Sequence, residues 1–163
     1  MPEIVPLSRE HDRSGFECGV PELDSFLKAT ARQHCEKGLS RTFVLTDGST
    51  VILGYFTLTL CEAMSVKMPA KLAIKYPRHA LPAVRIGRLA FSRSEQGKGY
   101  GELLLTEAIR RTALIAEQAG LIGLFVDAKN DSARTFYEHY GFVPLPQQPL
   151  QLFLPIDTIS SLF

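Results

Sequence analysis

The stretch Gln96-Gly97-Lys98-Gly99-Tyr100-Gly101-Glu102 decides how the rest of the chain reads. Three glycines alternate directly ahead of a run with helical periodicity. Glycine suits places where the backbone takes a positive φ or must come close to another group. The N–H groups of a helix's first turn have no internal partners, and with the helix dipole they form an anion site that fits a phosphate. Side chains at 97, 99 and 101 would block that approach, and Lys98 could add charge at the rim. Two other phosphate motifs fail. A Walker loop needs Ser or Thr after Gly-Lys, where this chain has Gly99. The dinucleotide fingerprint needs a third glycine where this chain has Glu102 or Leu104.

Upstream, Val84 to Phe91 reads as a strand. Downstream, Glu102 to Gln118 reads as a helix with Leu105, Ala108, Ile109, Thr112 and Ala116 on one face, stopped by Gly120. Leu121 to Val126 is a near-continuous apolar run, as expected of a strand buried on both faces. Strand, glycine loop, helix and strand make a parallel crossover unit, right-handed in nearly all known cases. A short helix over Ser132 to Tyr140, closed by Gly141, and a last strand over Leu150 to Ile156 follow. Toward the N-terminus, Arg41 to Thr46 and Val51 to Leu60 form a hairpin across Asp47-Gly48. A helix from Pro21 to about Gly38 precedes it, with Leu23, Phe26, Leu27, Thr30 and Ala31 facing inward. Residues 1–20 read as polar and turn-rich. Residues 62–83 read as a loop with a short helix near Ala70 to Lys75. The fold class is α/β (α+β) with a mixed sheet, in a single domain over 1–163.

The bulk numbers exclude several classes. A chain of 163 residues suits one domain that buries roughly 70% of its unfolded surface. Eighteen Lys and Arg against seventeen Asp and Glu leave a formal charge of +1, so this is no general polyanion coat, although a local basic patch remains open. Cys18, Cys35 and Cys61 are odd in number and lack a CxxC pair, so neither a disulfide framework nor a metal site is expected. The N-terminus has no apolar signal-peptide core, and no run approaches the ~20 apolar residues that span a bilayer. A cytoplasmic protein with no membrane association is expected.

Two spaced motifs carry a resemblance. Gln96, Gly99 and Gly101 fill Q-x-x-G-x-G after Arg88-Leu89-Ala90-Phe91, and Asn130, Ala133, Phe136-Tyr137, Gly141 and Phe142 fill N-x-x-A-x-x-F-Y-x-x-x-G-F. In this order they resemble the GNAT family of N-acetyltransferases, with the core of the match over about 84–143. The resemblance implies a mostly antiparallel mixed sheet with splayed strands and helices on both faces, and acetyl-CoA as cofactor. It implies that the backbone of Leu89, Ala90 and Phe91 holds the pantetheine arm. Gln96, Gly97, Lys98, Gly99, Tyr100, Gly101 and Glu102 would hold the pyrophosphate, and Asn130, Ala133 and Tyr137 would line the other wall. An N–H near Ala90 or Phe91 could polarise the thioester carbonyl. Tyr137 is the candidate catalytic acid, since a tyrosine pKa of about 10 against about 8.5 for a thiol allows proton donation without driving it strongly. A Tyr137 that only packs against the cofactor is the plainer alternative. No general base stands out, because Glu62, His34 and His139 each read as solvated or packed. An α-amine at about 7.7 needs such a base less than a lysine at about 10.4.

A narrower resemblance extends over nearly the whole chain. Phe16-Glu17-Cys18-Gly19, Leu23-Asp24-Ser25-Phe26-Leu27, Ser40-Arg41-Thr42-Phe43-Val44, Ile86-Gly87-Arg88-Leu89-Ala90 and Leu152-Phe153-Leu154-Pro155 are similar to the acetyltransferase toxins of bacterial type II toxin–antitoxin systems. That implies an acceptor amine on charged tRNA, a ribbon-helix-helix antitoxin as a separate chain, and a homodimer. Lys28, Arg32, Lys37, Arg41, Arg78, Arg85 and Arg93 are the candidate tRNA phosphate contacts. Phe91 departs from the smaller aliphatic residue common in those toxins and would narrow the acceptor channel. Two alternatives stand beside this reading: an acetyltransferase for a small amine or a protein N-terminus, and a non-catalytic acetyl-CoA-binding module.

Overall fold

The computed structural model describes residues 2–163. Its contacts divide it into two units, one running to Thr59 and resuming over Gly87–Ala108, the other comprising Leu60–Ile86 and Ile109–Phe163. Two strands and one long helix pass through both.

The first unit has the strand order β1 (Glu3–Pro6), β2 (Arg41–Thr46), β3 (Gly54–Met64), β4 (Ala80–Phe91). β1 pairs antiparallel with β2 from Glu3↔Thr46 to Pro6↔Phe43, and β2 with β3 from Arg41↔Leu58 to Leu45↔Gly54. β1 corrects the reading of 1–20 as purely turn-rich: a four-residue strand ending in proline carries little β signal, yet suits a sheet edge where a missing N–H costs nothing. The N-terminal helix is interrupted. α1 (Pro21–Ser25) passes through a π-turn over Phe26–Thr30 into α2 (Ala31–Glu36), and Gly38 at φ +74° ends it as expected. The hairpin stands, but Val51 makes only an isolated bridge to Asp12, and β3 continues to Met64.

Adjacent strand residues face opposite ways. Val44, Tyr55 and Ala90 therefore share one face, where they cluster with Phe16, Phe26, Leu27, Ala31 and Ile52. The Tyr55 hydroxyl donates to the Leu23 carbonyl at 2.6 Å, so this large buried ring also satisfies its polar end. On the other face Phe43 stacks on Phe56 at 5.2 Å. There a Cβ on Gly54 would come 2.9 Å from Leu104 of helix α4 (Tyr100–Gln118), so the glycine permits α4 to lie close.

The second unit has the order β3, β4, β5 (Gly123–Asp127), β7 (Gln148–Pro155), β6 (Val143–Leu145). β4 and β5 run parallel from Val84↔Leu124 to Ile86↔Val126, while β5 with β7 and β6 with β7 are antiparallel. The sheet is mixed and mostly antiparallel, as the resemblance implied. Its core gathers Ala63, Leu81, Ala83, Ile122, Phe125 and Phe153, with the Phe125 and Phe153 rings 4.7 Å apart. Helices α5 (Asp131–His139) and α6 (Ile156–Ser161) pack on β7. Three expectations are corrected here. The segment 62–83 is less irregular than its prolines suggest: β3 reaches Met64 and β4 begins at Ala80, while the short helix expected near Ala70 to Lys75 is present as α3, Ala70–Ala73. Pro82 fits a strand start because its carbonyl still accepts from the Ile122 N–H. The last strand is Gln148–Pro155, and β6 and α6 were not foreseen. Among the described residues no helix is long and apolar enough to cross a membrane.

Candidate active site

In the first unit a 3₁₀ turn over Arg93–Glu95 delivers the chain to the glycine loop. Gly97 and Gly99 have φ of +82° and +76°, and a Cβ built on either meets nothing within 4 Å. The glycines are thus required by backbone conformation, and the space beside them is open. The Leu103 N–H donates to the Gly99 carbonyl at 3.2 Å, starting α4, so Tyr100, Gly101 and Glu102 supply first-turn N–H groups without intrahelical acceptors. Lys98 pairs with Glu95, which raises its pKa and holds its charge at the loop's rim. Gln96 and Lys98 are exposed, and Tyr100 is half-buried.

The same unit carries the end of β4. The parallel ladder stops at Ile86↔Val126, and β4 runs on through Gly87, Arg88, Leu89, Ala90 and Phe91. β3 guards one side of this extension: the Ser92 N–H donates to the Leu53 carbonyl at 2.8 Å, and a Cβ on Gly54 would lie 3.0 Å from the Ala90 carbonyl. Among the described residues no strand pairs with the edge away from β3 beyond Ile86. An amide-bearing arm can add to such an edge as a strand would, and a pyrophosphate fits the open loop ahead of α4. These residues therefore suit acetyl-CoA.

In the second unit Asn130 caps α5, its Oδ1 accepting from the Ala133 N–H at 2.9 Å. Asn130 thus has a local structural task besides the binding role the resemblance implied. Tyr137 is 7% exposed and packs edge-on against Phe136 at 5.3 Å and Phe142 at 5.6 Å. Burial pushes its hydroxyl pKa up to about 12. Gly141, at φ +98°, turns the chain after α5.

The residues considered as bases are plain. His34 packs edge-on against Phe26 at 5.4 Å, His139 lies exposed against Tyr140, and Glu62 is exposed on β3. The candidate tRNA contacts divide into two kinds. Arg32 pairs with Glu36 at 3.2 Å, Arg85 with Asp127 at 3.2 Å, and Arg93 with Glu17 at 3.7 Å. The Arg41 guanidinium donates to the Cys35 carbonyl at 2.7 Å and so satisfies the end of α2. Lys28, Lys37 and Arg78 are exposed.

One residue escaped sequence reasoning. The Arg88 guanidinium carbon sits 3.6 Å from the centre of the Phe26 ring. Alternation held the signal: Ile86, Arg88 and Ala90 share a face, and the outer two are buried. A cation in that register needs a special partner.

Comparison with known proteins agrees with this geometry. Residues 38–144 match the model of the acetyltransferase (GNAT) domain. A probable toxin TacT of Sinorhizobium fredii is 34% identical over 98% of this chain and 93% of its own length. A tRNA-acetylating toxin of Mycobacterium tuberculosis is 34% identical over 96% and 93%. Among solved structures, a tyrosine-to-phenylalanine mutant of KacT superposes with a TM-score of 0.94 at 32% identity, covering 99% of each chain. AtaT complexed with acetyl-methionyl-tRNAfMet superposes at 0.92 with 32% identity over 100% and 99%. A mutant AtaT bound to acetyl-CoA and to the C-terminus of the antitoxin AtaR superposes at 0.83 with 33% identity over 100% and 98%. With a family model over most of its length and relatives matched nearly end to end, the chain belongs to the GNAT family of acetyltransferases.

Proposed function

We propose that this protein transfers the acetyl group of acetyl-CoA to the α-amine of an aminoacyl-tRNA, and that it acts as the translation-blocking toxin of a toxin–antitoxin pair. The observation that carries this is the open, positive-φ glycine loop ahead of α4, in a chain related over nearly its whole length to a protein described as a tRNA-acetylating toxin. Acetyl-CoA supplies an activated thioester. The loop from Gln96 to Glu102 holds its pyrophosphate with first-turn N–H groups. Leu89, Ala90 and Phe91 hold the pantetheine arm by backbone, and an N–H at Ala90 or Phe91 orients the carbonyl oxygen. Asn130 and Ala133 are further expected contacts of the coenzyme.

Tyr137 keeps its proton at any physiological pH, since burial raises its pKa to about 12. Against a thiol's about 8.5 it serves best as a hydrogen-bond donor to the sulfur as the carbon–sulfur bond breaks. The attacking amine loses its own proton to water. An α-amine at about 7.7 is already partly neutral, so the chemistry proceeds without a dedicated base. The exposed Lys28, Lys37 and Arg78 have the freest charge for tRNA phosphates; Arg32, Arg41, Arg85 and Arg93 would contribute alongside their protein partners. The same reading takes the two compact units as one acetyltransferase domain. It also expects a homodimer, a ribbon-helix-helix antitoxin and a cytoplasmic location.

The test is to incubate the protein with labelled acetyl-CoA and total bacterial tRNA, charged or uncharged. Label on charged RNA alone, released when the aminoacyl ester is hydrolysed, is the expected result. Label on neither, with acetyl-CoA still bound, would move the acceptor to a small amine or a protein N-terminus. Bound acetyl-CoA without turnover on any amine would leave a binding module.

A further inference from the structure

We infer that Arg88 contacts an acceptor RNA phosphate and that the Phe26 ring holds it ready to do so; the inference rests on the aminoacyl-tRNA reading above. It begins with an anomaly of register. On β4, Ile86 and Ala90 are buried, Ala90 in the cluster that holds Phe26, Leu27 and Ala31, and Arg88 lies between them in the alternation, half-buried. An arginine in such a place is ordinarily neutralised by a carboxylate, because a lone charge is costly to bury. Arg88 is not. Among the described residues no carboxylate lies within ion-pair distance of it, and the Asp24 carboxylate, whose charge like that of Arg88 is felt at the Tyr55 hydroxyl, accepts from the Cys18 N–H at 3.0 Å. The guanidinium instead sits 3.6 Å from the Phe26 ring centre.

That choice of partner matters chemically. A ring face stabilises the cation through its quadrupole and occupies none of the five N–H donors. A carboxylate would occupy two of them and cancel the charge. Arg32, Arg85 and Arg93 are held in that second way. Arg88 is therefore a positioned cation with its hydrogen-bonding capacity intact, the combination that suits a phosphate.

Position selects which phosphate. Phe26 belongs to the π-turn, which also carries the exposed Lys28 and lies on the Tyr55 and Ala90 face of the first unit's sheet. Helix α4, whose N-terminus serves the coenzyme pyrophosphate, packs over Gly54 on the opposite face. A phosphate reaching Arg88 thus comes with the other substrate. The π-turn itself has a purpose in this reading: by widening the helix where Phe26 sits, it presents the ring toward β4, and such turns recur at functional sites.

The test compares full-length wild type with Arg88→Gln, Arg88→Lys and Phe26→Leu. Three quantities are read: tRNA binding over a salt series, acetyl-CoA affinity, and the unfolding midpoint. For Arg88→Gln the slope of log affinity against log salt should shrink by about one, and affinity near physiological salt should fall about tenfold. Acetyl-CoA affinity should stay within about twofold. Arg88→Lys and Phe26→Leu keep the charge but lose the flat cation or its platform, so affinity should fall several-fold with the slope retained. A folded Arg88→Gln with unchanged slope overturns the inference. So does a parallel loss of acetyl-CoA affinity, which would assign Arg88 to the coenzyme. If Arg88→Gln does not fold, the decision passes to Arg88→Lys and Phe26→Leu, where unchanged affinity overturns it. Wild type that binds RNA but does not acetylate charged tRNA defeats the acceptor reading alone, and the slope still decides Arg88. Wild type that binds no RNA defeats both.

Discussion

The glycine loop from Gln96 to Glu102 and the helix α5 that carries Tyr137 treat their polar groups in opposite ways. The loop keeps backbone N–H groups in the open, with two glycines at positive φ and no protein atom within 4 Å of where their side chains would be. α5 buries Tyr137 among aromatic rings and closes its own N-terminus with Asn130. Holding an anion calls for donors that nothing else has claimed; holding a proton calls for the removal of water. Changes to the loop should therefore be felt in binding, and changes to Tyr137 in rate.

The largest expected effect is that of Tyr137→Phe. Initial rates on charged tRNA should fall about a hundredfold or more, while the KM for acetyl-CoA moves less than about twofold. A fall in affinity with an unchanged rate would erase the contrast between the two regions. The same residue gives an alkaline signature. Its folded-state pKa of about 12 exceeds the unfolded value of about 10, so the native state holds the proton more tightly. Its contribution to stability is complete below about pH 10 and is lost as pH rises toward 12. Unfolding midpoints of Tyr137→Phe should decline less steeply than wild type across that window. Gly99→Ala places a side chain at φ +76°, which costs about 1–2 kcal/mol. That strain should lower the unfolding midpoint by about 2–8 °C, and acetyl-CoA affinity should weaken about tenfold by calorimetry. The smallest effect is that of Asn130→Ala, with about 1 kcal/mol lost with the cap and a midpoint about 2–4 °C lower. A loss of acetyl-CoA affinity beyond that would show that Asn130 serves the cofactor wall as well as its helix.

Elements with strong local signals were legible from sequence. Residue pattern marks β2 to the residue, and apolar periodicity with closing glycines marks α4 and α5 to within two residues of their starts. The loop's conformation was legible too, since few alternatives explain glycine at both 97 and 99. What failed depended on partners distant in sequence. β1 and β6 are short and contain proline, and exist as strands because β2 and β7 lie beside them. β4 starts before Pro82 for the same reason. In the site, the binding roles came from motif positions, and they led past Arg88, which stands immediately before Leu89-Ala90-Phe91 and acts through its side chain rather than its backbone. The π-turn beneath it cannot be read from residues that suit an ordinary helix equally well.

The unpartnered edge of β4 has a consequence for how the molecule behaves outside any reaction. Exposed strand edges invite pairing with other chains, and cells and test tubes both punish them with aggregation. An edge that function forbids capping with protein can be shielded only by what binds there. Acetyl-CoA at a hundred times its dissociation constant would add about 2.7 kcal/mol to the folded state by mass action alone. The supply of the coenzyme would then set the protein's stability as well as its rate. In purification, the coenzyme should be the most effective preservative.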